Sequence, residues 1–178
     1  NENSCTKFFK KLFSNSDGIV FFGGPDIPPV FYREKTHVTT SVSDPERHCF
    51  ELSFLFHLLG GFQNEKVVPL LKENPNYIIR AFCLGMQTMN VAAGGTMYQD
   101  IPTQIYHTSF VEDILDMKEN EQHKNYWKHL SIKNNLNGGH FHQICFKEPE
   151  SFKNMISPAD SPYVFSYHHQ AVNQVGKG

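Results

Sequence analysis

The chain has 178 residues, 19% of them charged, with 16 phenylalanines and a formal net charge of −2. One sizeable hydrophobic core is within reach at this length, and such aromatic richness with so little net charge excludes an intrinsically disordered chain. The near-neutral balance removes the electrostatic case for nucleic acid or an anionic membrane as main partner. No apolar run reaches the roughly 18 residues of a membrane span.

The chain starts Asn1-Glu2-Asn3-Ser4 and stops at Gly176-Lys177-Gly178. With no initiating Met and no finished closing element, the expectation is a piece of a longer chain, and no signal peptide is in view. Gly18 to Phe22 is a short apolar run ended by the turn signal Gly23-Gly24-Pro25-Asp26. It reads as a central strand buried on both faces. Residues 27–45, with Pro28, Pro29 and Pro45, read as a long surface loop. Ser43 or Asp44 can then cap a helix over 46–59, in which Phe50, Phe54, Leu55, Leu58 and Leu59 fall at helical spacing and Gly60-Gly61 is the stop.

Tyr77 to Phe82 is a second strand, running through Cys83-Leu84-Gly85 into a short helix that Gly94-Gly95 ends. Residues 112–137 are rich in Glu, Lys, His and Asn and predict an exposed insertion with weak helix. Strands are expected over 140–146 and 163–165. Strands separated by helices specify an α/β domain with a mostly parallel sheet.

Three pieces bear on chemistry. In Ala81-Phe82-Cys83-Leu84-Gly85 small residues stand two before and two after a cysteine. A nucleophile on a sharp strand-to-helix turn needs that spacing, because larger side chains collide where the chain doubles back. The geometry puts Cys83 at a helix N-terminus, where the dipole and unpaired N–H groups favour a thiolate, and aims the Leu84 N–H at a developing oxyanion. The alternative is a buried structural cysteine. Gly23-Gly24 lets backbone amides approach a ligand closely, although an isolated Gly-Gly is more often an ordinary turn, and no phosphate-loop pattern accompanies it.

Histidines supply the third piece. Of the ten, His140 and His142 share one face of a strand but lack a third ligand at a telling spacing, so no metal is expected. His168-His169-Gln170 follows a strand as a candidate substrate loop. Cys5, Cys49, Cys83 and Cys145 show no CxxC and no regular spacing, so reduced thiols are expected. Asp44-Pro45-Glu46-Arg47 with Glu51 reads most simply as a helix cap plus a surface ion pair of little energy.

Together these segments resemble class I glutamine amidotransferase-like hydrolases, with the gamma-glutamyl hydrolase branch (peptidase family C26, including gamma-glutamyl-gamma-aminobutyrate hydrolases) most similar. Residues 17–29 resemble the oxyanion strand, residues 81–102 the nucleophile elbow with its helix, and residues 166–172 the late substrate loop. The resemblance implies one domain over 1–178, incomplete at both ends, in a three-layer α/β sandwich of the flavodoxin-like kind with a mostly parallel sheet. It implies Cys83 as nucleophile and Gly24 and Leu84 as oxyanion-hole donors. Gly23, Gln87, Tyr167, His168, His169 and Gln170 would meet the substrate. Asp44, Arg47 and Glu51 match a recurring helix start of the branch, with no role attached.

The implied activity is hydrolysis of a gamma-glutamyl amide in a small molecule through a thioester, releasing glutamate and an amine. The alternatives are a glutaminase module supplying ammonia to a synthase partner and a non-catalytic member of the fold. No cofactor, metal, nucleic acid or membrane is implied, a homodimer is allowed, and a reduced catalytic thiol points to the cytoplasm. The family's catalytic base is a His in a His-x-Glu pair. No such pair occurs in residues 1–178; the expectation is that it lies in sequence beyond them, the alternative being a truncated, inactive form.

Overall fold

The structure is a computed structural model that describes residues 4–60, 67–130, 138–144 and 161–177. Gly61, residues 131–137 of the expected insertion, and Cys145 and Phe146 of the expected strand lie outside the described residues. Two compact units emerge, Asn1–Asp100 with Gln170–Gly178, and Ile101–His169.

The first unit begins with α1 (Ser4–Ser14), a helix the sequence reading did not anticipate. Its signal is Phe9 and Phe13, four residues apart and both buried. Phe9 stacks on Phe54 with ring centroids 5.1 Å apart, and Phe13 meets Tyr77 at 4.5 Å. The strand β1 (Gly18–Phe21) follows, then α2 (Pro45–Leu59), β2 (Ile78–Ala81) and α3 (Leu84–Ala92). As expected, the Asp44 side chain caps α2 by accepting from the Arg47 amide at 3.1 Å, and the helix ends at Gly60, whose φ of 79° suits glycine.

β1 and β2 pair in parallel, Gly18 opposite Ile78 and Phe21 opposite Ala81. Burial on both faces is not what the described residues give β1. Ile19 and Phe21 pack on the core while Val20 is 43% exposed, and across the pair Ile79 and Ala81 point inward while Ile78 is 55% exposed. The reason is that the helices cover one face, and among the described residues β1 has β2 as its strand neighbour. That inner face meets Phe9 and Phe13 of α1 and Phe54, Leu55 and Leu58 of α2.

A second cluster joins Ile27, Tyr32, Leu84, Val91 and Met97. The expected surface loop 27–45 is therefore partly internal: Ile27 is fully buried, and a 3₁₀ turn at Pro29–Tyr32 buries Pro29 and Tyr32. Gln99 secures the rest of the loop. Its amide nitrogen donates to the Lys35 carbonyl at 2.9 Å, and its oxygen accepts from the His37 amide at 2.8 Å. β3 (Thr96–Tyr98) pairs with the later β6 (Ala171–Gln174) in antiparallel fashion. Asn90 ties that pair to α3, donating to the carbonyls of Thr96 and Gln174 and accepting from the Gly176 amide.

The second unit holds α4 (Ile101–Gln104), α5 (Val111–Leu115), two 3₁₀ turns and an antiparallel pair, β4 (His140–Gln143) with β5 (Tyr163–Ser166). The region read as an exposed insertion has an interior of its own, with Ile114, Gln122, Asn125 and Tyr126 buried. The Gln122 amide nitrogen donates to the carbonyls of Leu115 and Met117. A polar sequence hides its order here because buried amides, rather than an apolar stripe, hold the turns. The α/β class is as expected, although of the three described strand pairs one is parallel and two are antiparallel. Among the described residues no helix is long and apolar enough to cross a membrane.

Truncating the best-packed aromatic tests this account of the core. Phe54→Ala is expected to lower unfolding free energy by about 3–5 kcal/mol, the usual range for a buried Phe, measured by urea denaturation with an unchanged slope.

Candidate active site

The C-terminal ends of β1 and β2 lie side by side because the strands are parallel and in register. At the end of β2 the chain turns sharply into α3, with Cys83 at the corner. Its backbone has φ 53° and ψ −116°, a conformation L residues rarely hold unless the surroundings enforce it. Enforcement comes from both sides. The Phe82 amide donates to the Phe21 carbonyl at 2.9 Å, and the Gly85 amide donates to the Phe82 carbonyl at 2.9 Å. Leu84 is sealed into the second core cluster.

Glycine at 85 is a steric requirement. A Cβ there would stand 2.5 Å from the Phe21 carbonyl oxygen, which is backbone and has nowhere to go. The small residue two positions after the cysteine thus has the physical cause expected from the pentapeptide. Cys83 itself is exposed, so the buried-cysteine alternative does not describe it. Cys5 and Cys49 are exposed as well.

Gly23 and Gly24 follow β1 directly. A Cβ on Gly23 would lie 3.4 Å from the Cys83 Cβ and 3.5 Å from its Sγ, so the glycine turn packs against the thiol. A Cβ on Gly24 would lie 2.9 Å from Leu84 Cδ2 and 2.6 Å from Arg47 Nη1. Gln87, in the first turn of α3, is buried, and its backbone N–H donates to the Cys83 carbonyl at 3.3 Å. The structure therefore brings Gly23, Gly24, Cys83 and Leu84 together, with Gln87 one helical turn beyond Cys83.

Gln170 belongs to the same unit, but its side chain is buried and its amide nitrogen donates to the Gln99 carbonyl at 3.3 Å. That contact holds β3 near the start of β6. Tyr167, His168 and His169 belong to the second unit. Tyr167 is exposed, and the His169 carbonyl accepts from the Ile101 amide at 2.7 Å. The His168 ring lies 5.1 Å from the ring of His123, which also meets His142 at 5.5 Å. Among the described residues no group of three or more His, Cys, Asp or Glu is arranged to hold a metal ion.

The residue that sequence reasoning undervalued is Arg47. Its Nε donates to Glu51 Oε1 at 2.7 Å, the expected ion pair one turn apart on α2. The rest of the guanidinium reaches across to the glycine turn: Nη2 donates to the Phe22 carbonyl at 2.9 Å and Nη1 to the Gly23 carbonyl at 3.2 Å. The spacing of Arg47 and Glu51 was visible in the sequence; that the fork would meet a loop 24 residues earlier was not. Next to it, His48 is fully buried, and neither ring nitrogen has a hydrogen-bond partner among the described residues. Burial holds its pKa below the usual histidine range, against the opposing charge of Glu51.

Residues 3–178 match the model of the family described as Peptidase C26. The chain belongs to the peptidase C26 family. It is 26% identical over 173 residues to a protein of Lactococcus lactis subsp. cremoris named as a glutamine amidotransferase-like YvdE homolog, covering 97% of this chain and 72% of that one. It is 37% identical over 100 residues to the glutamine amidotransferase-like protein RP404 of Rickettsia prowazekii, covering 56% of this chain and 31% of that protein. Similarity to the protein NtpR of Enterococcus hirae runs at 28% over 172 residues, or 97% of this chain and 57% of NtpR. Apart from the first, this C26 chain spans less than two thirds of those relatives.

Two measurements check the local physics. Gly85→Ala should lower unfolding free energy by about 1–3 kcal/mol in urea denaturation, because the added methyl must displace backbone. The second concerns His123, whose pKa is pushed down from 6.5 to about 4, first by burial and then by the charges of His168, His142 and His140. The unfolded chain then takes up a proton between about 6.5 and 4 that the folded chain does not, so stability falls as pH drops through that window. His123→Gln should flatten this acid loss without abolishing it, since His48 contributes in the same direction. Fluorescence of Trp127, the one tryptophan, against pH reads it out.

Proposed function

We propose that this C26 chain is a cysteine-dependent hydrolase of gamma-glutamyl amide bonds in small molecules. The observation that carries the reading is Cys83, exposed at φ 53° on the strand-to-helix corner with the Gly23-Gly24 turn packed against it. That is how a nucleophile is offered to an incoming carbonyl while backbone amides stand beside it.

The chemistry proceeds in two halves. Cys83 Sγ attacks the gamma-carbonyl carbon, a C–S bond forms, and the carbonyl electron pair moves onto oxygen. The amides of Gly24 and Leu84 stabilise that oxyanion, the latter with the N-terminal dipole of α3 behind it. Collapse expels the amine once it has taken a proton, leaving a thioester. Water then adds to the thioester, and glutamate leaves as the thiol is restored. Gly23 and Gln87, beside the thiol and in the first turn behind it, meet the glutamyl portion.

Both halves need a general base for the thiol and the water. Residues 1–178 contain no His-x-Glu pair, and on this reading they supply the nucleophile, the oxyanion donors and the glutamyl contacts. The architecture we infer for the whole family domain is the three-layer, flavodoxin-like sandwich, with the site at the C-terminal strand ends.

A second reading takes free glutamine as substrate and ammonia as product. The glutamine amidotransferase-like names of the Lactococcus and Rickettsia relatives favour it. The two differ in the leaving group alone, so one experiment tests both. The full-length protein should release p-nitroaniline from gamma-glutamyl-p-nitroanilide, and Cys83→Ser should lower kcat at least ~10³-fold, as loss of a nucleophile does, with its unfolding midpoint unchanged. Activity retained in Cys83→Ser overturns the nucleophile assignment. Glutamine turned over faster than any gamma-glutamyl amine favours the second reading.

A further inference from the structure

Resting on the reading of Cys83 and Gly24 just given, we infer that Arg47, held by Glu51, is a positioning residue that sets the oxyanion-binding Gly24 amide, and the Gly23 amide beside it, in the glycine turn. None of the described peptide bonds is cis, and in a planar trans peptide the C=O and N–H point in opposite directions. The Phe22 carbonyl shares its peptide with the Gly23 amide, and the Gly23 carbonyl with the Gly24 amide. By donating to both carbonyls, at 2.9 and 3.2 Å, the guanidinium fixes the orientation of both amides and turns them away from itself.

Two successive glycines are the residues least able to hold such an orientation unaided, because each samples wide φ/ψ space. An oxyanion hole works only if its donors are already aimed when charge develops. Arg47 meets that need with a rigid planar fork whose donors can reach two adjacent carbonyls at once, which a lysine ammonium cannot reproduce. A side chain at Gly24 is excluded as well: its Cβ would lie 2.6 Å from Arg47 Nη1 and 2.9 Å from Leu84 Cδ2.

Glu51 completes the device. Its Oε1 takes the Arg47 Nε, while its Oε2 is buried with no hydrogen-bond partner among the described residues. Withdrawing a carboxylate from water for an ion pair brings little net stability. Here it fixes the orientation of a half-buried guanidinium whose other donors are on the loop. The Asp44 cap anchors the first turn of α2 from which Arg47 projects.

The test uses full-length protein with gamma-glutamyl-p-nitroanilide and, separately, alkylation of Cys83 by iodoacetamide. Alkylation displaces iodide at a saturated carbon and builds no oxyanion, so it reads thiol access and fold without the hole. Arg47→Met should lower kcat on the order of 10²-fold with KM nearly unchanged, the size seen when one oxyanion donor is lost, while the Cys83 alkylation rate stays at the wild-type value. Arg47→Lys should recover little of the loss, and Glu51→Gln should fall between wild type and Arg47→Met, which provides a reading if the arginine variant does not fold. Wild-type turnover with kcat unchanged in Arg47→Met and Glu51→Gln overturns the positioning role alone. A fall in alkylation matching the fall in kcat also overturns it, since the defect then lies in the thiol or the fold. Activity surviving in Cys83→Ser overturns the reading on which the inference rests.

Discussion

The contact on which the site depends is that of Gly85 with the Phe21 carbonyl, where even a methyl group would come within 2.5 Å of the oxygen. This approach lets α3 begin directly off the ends of the two parallel strands. Once helix and strand are that close, the connecting residue has no ordinary conformation open to it, and Cys83 takes φ 53°. The strain, of the order of 1–3 kcal/mol for such a backbone, is borne by the surroundings: the Phe82–Phe21 hydrogen bond on one side and the buried Leu84 on the other. The exposed thiol and the neighbouring glycine turn both follow from that geometry.

Apolar and polar contacts divide the work in the first unit. Burial of Phe9, Phe13, Phe54, Leu55 and Leu58 against Ile19 and Phe21 positions whole elements, because the hydrophobic effect is strong but non-directional. The loops are set by directional bonds from a few polar side chains. Arg47 holds the turn after β1, Gln99 holds residues 35–40, and Asn90 joins β3 and β6 to α3. Each reaches backbone carbonyls or amides of residues distant from it in fold or sequence. In the second unit Gln122 and Asn125 do the same, and His123 is packed among Tyr106, His142 and His168.

Much of the site was legible in the sequence because its demands are local. The spacing of Ala81, Cys83 and Gly85 follows from the sterics of one turn, and the Asp44 cap with Gly60 as stop follows from helix ends. Helix α1 went unread although Phe9 and Phe13 carry the signal, since two aromatics four apart mark a helix only when something packs on them. The prolines of the long loop after β1 predict a surface segment, yet Ile27 and Tyr32 are buried. The short strands β3 and β6 were missed because a three- or four-residue strand has too little periodicity to register and is defined by its partner.

By itself the sequence determined the α/β class, the strand-to-helix corner with Cys83 at its tip, and membership of the C26 family. These are written in short windows, where neighbouring residues constrain one another through the backbone. Only the tertiary structure decided that Arg47 grips the Phe22 and Gly23 carbonyls, that Gln170 supports Gln99, and that the polar stretch after residue 101 forms a unit with its own interior. Those outcomes depend on which distant groups meet. Hydrogen bonds between residues 24 or 71 positions apart leave no periodic trace in the chain that makes them.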